Sequence, residues 1–95
     1  MEWLKIKAKD KLITLKKFKT EHYNTYTHTS DGYMIVDVQI DDKKYSDLKF
    51  GWHYDDEGLF LEEDATSPEM EKLWKGKHSE VIQNAINKIF NENWK

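Results

Sequence analysis

Along residues 2–9, Leu4, Ile6 and Ala8 alternate with Lys5, Lys7 and Lys9. A period of two places one set on each face of a strand, so this stretch reads as a half-buried strand. Residues 11–19 repeat the pattern with Ile13 and Leu15 on one face. Asp10 falls in the short link between them, and a hairpin is expected. Residues 33–40 put Met34, Val36, Val38 and Ile40 on one face of a third strand. The two aspartates and two lysines of 41–44 read as the following turn. Leu48, Phe50, Trp52 and Tyr54 then alternate, Asp55–Gly58 makes a tight connection, and residues 59–63 return. Residues 21–32 are polar with β-prone threonines and tyrosines. They read as an edge strand or a long loop, with a turn signal at Ser30-Asp31-Gly32.

The period changes at the lone proline. Pro68 suits a first helical turn, Thr66 or Ser67 can cap it, and Glu69 completes a capping box with Thr66. Met70, Leu73 and Trp74 share a face, and Gly76 ends this short helix. Ile82, Ala85, Ile86, Ile89 and Phe90 then form one apolar stripe, with Trp94 near its end. Strands first and helices last predict an α+β fold. The expected form is an antiparallel β-meander of about five strands, then a short helix and a longer C-terminal amphipathic helix packed on one sheet face. The length of 95 residues, without repeat or linker, reads as a single domain over 1–95.

Composition narrows the chemistry. Cysteine is absent, which excludes disulfides, thiolate zinc sites and a cysteine nucleophile. No apolar run approaches the roughly 20 residues that span a bilayer. The N-terminus has no signal-peptide pattern, so a soluble cytoplasmic protein is expected. All 15 basic residues are lysine. This usage fits an AT-rich genome, such as a low-GC bacterium or one of its phages. The missing guanidinium also removes the fork that reads phosphate, guanine or carboxylate in a bidentate way.

Net charge is −3 but uneven. Residues 1–20 carry seven lysines against Glu2 and Asp10, whereas residues 21–64 carry three lysines against twelve acids. Such a split marks a binding face, or adjacent strands whose opposite charges face each other. Residues 55–64 hold six carboxylates around Leu59-Phe60-Leu61. Aligned as a calcium loop with Gly58 sixth, the first position is His53 and the last a short Asp64, so the pattern fails. A hairpin with Gly58 at a left-handed position explains the turn. It leaves Glu62, Glu63 and Asp64 extending the same sign beyond it, which calls for nearby lysines or a basic partner.

Three function classes follow. In the first, Asp55, Asp56, Glu57, Glu62, Glu63 and Asp64 contact a basic protein groove. Tyr23 and Tyr26 assist, because 22–30 has the tyrosine, asparagine, threonine and serine palette of protein-binding loops. The sharp form is a phage- or mobile-element-encoded inhibitor of a host nucleic-acid-handling complex, or an immunity-type protein that neutralises a toxin. In the second, Lys5, Lys7, Lys9, Lys16, Lys17 and Lys19 follow a phosphate backbone, although lysines also guard strand edges. The third is a small enzyme with His53 beside Asp55 as its base, which lacks a nucleophile or convergent second group. His22, His28, His53 and His78 show no metal spacing. No metal or cofactor is expected. The expected partner is a larger basic protein or a second copy of the chain, with no membrane.

Overall fold

The computed structural model describes the backbone of residues 4–8, 11–40 and 43–94, with side chains from Ile13 onward in that range. The fold is α+β: an antiparallel meander followed by two helices. Strand β1 is Leu4–Ala8, β2 is Lys11–Asn24, β3 is Thr29–Ile40, β4 is Lys43–Asp55 and β5 is Gly58–Leu61. They lie side by side in chain order. Side chains are described in four of them, β2 to β5; β1 is defined by its backbone pairing along β2. A single 3-10 turn, Glu63–Ala65, leads to α1, Pro68–Lys75, and α2, Ser79–Asn93.

Period-two alternation sets the two faces. Every second residue of β3 is buried, from Ser30 to Ile40. Met34, Val36 and Val38 meet Ile13 and Leu15 from β2, Leu48, Phe50 and Trp52 from β4, and the α2 stripe Ile82, Ala85, Ile86, Ile89 and Phe90. Met70 of α1 is fully buried beside them. The stripe behaves as its helical spacing requires.

Four expectations need correction. First, Ser30-Asp31-Gly32 is not a turn. β2 runs on to Asn24, the chain reverses through residues 25–28, and all three residues belong to β3. Gly32 is needed for another reason: a β-carbon there would meet the Trp52 ring and the β2 backbone. Second, Lys43 and Lys44 begin β4 and are not part of a turn; Asp41 and Asp42 lie outside the described residues, as does Asp10. Third, β5 ends at Leu61, so Glu62 and Glu63 lie beyond it.

Fourth, no capping box forms. Ser67 is the N-cap of α1 but makes no side-chain cap bond. Its hydroxyl instead accepts the Lys49 N–H at 2.9 Å, and Thr66 Oγ1 accepts the Gly51 N–H at 3.0 Å. The Glu62 and Ser67 N–H groups donate to the Gly51 and Lys49 carbonyls. Residues 62–67 thus seal the β4 edge where β5 stops, which removes an open row of backbone donors and acceptors. The competing demand came from the sheet edge: its buried peptide groups had no other partners.

Two substitutions test this architecture. Ile86 is fully buried, so Ile86→Ala should cost about 2–5 kcal/mol in denaturant unfolding. At Gly51 an added methyl would collide with the β-carbon and carbonyl of Ala65. Gly51→Ala should therefore lower the melting temperature and speed amide exchange at Lys49 and Gly51, while amides of β3 keep their relative protection.

Candidate functional site

The helices cover one face of the sheet; the other carries polar and aromatic side chains. Its rows follow from the register. His22, Asp31, His53 and Phe60 stand across four strands in one row. Lys19, Tyr33 and Gly51 form the next, then Lys17, Ile35 and Lys49.

The meander brings two reversals to one end. Asn24 pairs with Thr29, Ser30 with Tyr54, and Asp55 with Gly58. The 25–28 reversal and the 56–57 turn therefore project from the same end of the sheet. Tyr26 is 94% exposed at the first tip. The Asn24 side chain accepts the N–H groups of Tyr26 and Thr27, which fixes that loop. At the second tip Asp55 accepts the Glu57 N–H at 2.8 Å, and Gly58 has φ of +124°. The hairpin reading of 55–58 is correct, and the glycine carries a backbone geometry that L-residues disfavour. Tyr23 is half exposed and packs its ring 5.7 Å from Trp94, so it is partly structural.

The six acids do not form one strip. Asp55–Glu57 and Glu62–Asp64 flank β5 at opposite ends, roughly 13 Å apart along a four-residue strand. Glu63 is engaged by Lys75 at 2.7 Å, and Lys75 also holds Glu71 at 2.9 Å. Glu62 and Asp64 instead line a cleft with Glu21, His22, Asp31 and Ala65, floored by Gly32 and Trp52. A neighbouring cleft is lined by His22, Tyr23, Asn24, Thr29, Ser30 and Asp31. His22 Nδ1 and Asp31 Oδ1 lie 2.9 Å apart on the ridge the two clefts share. Ser30 Oγ and Trp52 Nε1 are buried without a hydrogen-bond partner among the described residues, and each residue lines one of these clefts.

Nothing in the local sequence pattern marks Glu21 or Asp31. Glu21 sits at a register shift of β2, and Asp31 lies in a segment whose sequence reads as a turn. No spacing along the chain relates either to Glu62; only the strand register does.

The lysines divide as well. Lys16 occupies a second register shift and bonds Asp47, with Asp37 at 3.8 Å. The bond to Asp47, helped by the Asp37 charge, raises its pKa above the usual lysine value. Lys17 and Lys19 stay exposed on the open face, and Lys5 and Lys7 hold register positions opposite Thr14 and Leu12. Lys9 lies outside the described residues. Lys17 Nζ and Lys49 Nζ approach the Tyr33 ring to 5.5 and 4.8 Å of its centroid. The Lys17 ammonium holds the Tyr33 phenol below its ordinary pKa. His53 Nε2 lies 3.4 Å from Asp55 Oδ2. Among the described residues no three His, Asp or Glu side chains converge as a metal site, and no helix is long and apolar enough to cross a membrane.

The Glu63–Lys75 pair makes a pH prediction. Lys75 depresses the Glu63 pKa below its ordinary 4.5. The contribution to stability is therefore present above that value and is lost as pH falls through the folded pKa. Glu63→Gln should melt slightly below the native protein at neutral pH, and the gap should close as pH falls through the depressed Glu63 pKa. Because both groups are exposed, about 1 M salt should also close it. No protein-family model, curated protein or solved structure matches this chain.

Proposed function

We propose that this chain is a non-catalytic binding protein whose two-hairpin end docks on a basic surface of a larger protein. One observation carries the reading: an exposed tyrosine and the acidic turn Asp55–Glu57 share one end of the sheet, and the cleft lined by Glu21, Asp31, Glu62 and Asp64 adjoins it further along the strands. Tyr26 supplies contact area at low entropy cost, beside hydroxyl and amide side chains that adapt their hydrogen bonds. The carboxylates attract and orient a lysine- or arginine-rich groove. Asp31, Glu62 and Asp64 have no lysine partner within 4 Å among the described residues. Glu63 is not part of this surface, because the Lys75 ammonium engages it.

Among basic grooves, those of nucleic-acid-handling proteins carry the lysine and arginine density that phosphates require, and carboxylates occupy such a groove in their place. The sharp form is thus an antagonist that occupies the nucleic-acid channel of a host complex, encoded by a phage or mobile element.

Two measurements test it. The chain is used as bait in lysate of a low-GC bacterium after nuclease treatment, beside Glu62→Lys/Asp64→Lys and Lys17→Glu/Lys49→Glu variants. Capture of a protein that is lost with acid reversal, kept with lysine reversal and weakened by salt supports the reading. The opposite pattern overturns it. With a purified partner, Tyr26→Ala should weaken binding about tenfold, roughly 1.4 kcal/mol. Its melting temperature should not move, since the side chain is 94% exposed.

A further inference from the structure

The centre of the open face has a different chemistry from its acidic end. Lys17 on β2 and Lys49 on β4 flank Ile35 of β3, and their ammonium groups converge on Tyr33 one row away. Lys19 stands opposite Tyr33 on β2. None of these three lysines has a carboxylate within 4 Å among the described residues. We infer that this patch is a second binding site, for the sugar–phosphate backbone of single-stranded nucleic acid.

The occupant follows from charge and shape. Two ammonium groups at an aromatic ring, with Lys19 paired beside it and none of the three held by a carboxylate among the described residues, match a phosphate chain that carries stackable bases. A broad sheet face fits no duplex groove, where an α-helix or a narrow two-stranded ribbon enters. Sheets that present aromatic side chains take splayed single strands instead. The boundaries are electrostatic. Glu21 and Asp31 repel phosphate at the hairpin end, and the Lys16–Asp37–Asp47 group carries a net negative charge on the other side. The strand therefore crosses β2, β3 and β4, with Lys17 and Lys49 roughly 10 Å apart over two interstrand spacings. A base stacking on Tyr33 displaces an ammonium from the ring towards the adjoining phosphate. Without guanidinium forks the site tolerates any sequence. It differs from the lysine row legible in the sequence: Lys16 leaves it, and Lys49 and Tyr33 join. It shares no residue with the acidic end, so either reading survives failure of the other.

The test is fluorescence anisotropy with a labelled oligothymidylate of about 20 nucleotides at low salt, using the full chain. Binding should weaken as salt rises, with a log–log slope of roughly −2 for three phosphate contacts. Lys17→Glu/Lys49→Glu should lose at least tenfold in affinity, and Tyr33→Leu a smaller factor. Lys88→Glu, on α2 across the sheet, should bind like the native chain; circular dichroism confirms that each variant is folded. No binding by the native chain overturns the site, as does an equal loss from Lys88→Glu. Tighter binding of a duplex of the same length overturns the single-strand assignment.

Discussion

Trp52 is fully buried, and its indole reaches over the space that Gly32 leaves empty on the neighbouring strand. That burial ties the sheet to the C-terminal helix. Phe18 stacks on the indole at 5.6 Å, Phe90 meets it edge-on at 4.9 Å, and Trp94 closes at 6.0 Å. Tyr54 and Tyr23 extend the cluster outward through Phe90 and Trp94. Such ring pairs add to the area they bury, each by about 0.5–1.5 kcal/mol. A chain without disulfides has to gain its stability this way, from packing alone.

The register shifts of β2 serve that cluster. Ile13 and Leu15 face the core at odd positions, and Phe18 faces it at an even one. The extra residue, Lys16, makes the change of parity possible. It is paid with an unpaired backbone position, and the open face compensates through Asp37 and Asp47. Asp37 accepts the Asp47 N–H at 2.8 Å, and Asp47, at φ of 56°, takes the Lys16 ammonium. One ionic group thus stabilises irregularities on both sides of β3. The same packing demand that moved Phe18 inward removed Lys16 from the lysine row.

Charge segregation on the open face is a consequence of the meander. Strands of opposite composition lie beside each other, yet only some charges pair across them. Lys16 and Lys75 are neutralised by their neighbours. Lys17, Lys19 and Lys49 gather at the centre, while Asp55–Glu57 occupy the hairpin end and Glu21, Asp31, Glu62 and Asp64 line one cleft. The polarity of this face therefore has two parts, acidic groups along β5 and its neighbouring cleft and a basic centre.

The sequence by itself determined the alternating strands 33–40 and 48–54, the tight turn before Gly58 and the buried stripe of α2. Each is a local periodicity, and local periodicity survives folding because one face of every element must leave water. It also determined that six acids crowd residues 55–64. Only the tertiary structure decided which charges stay available. Glu63 met Lys75 from a helix twelve residues on, and Asp31 met His22 across a register that two shifts of β2 define. Thr66 and Ser67 looked like caps because capping is the commonest local use of a hydroxyl before a proline. The unfinished edge of β4 was the stronger claimant, and nothing along the chain announces where a neighbouring strand will stop.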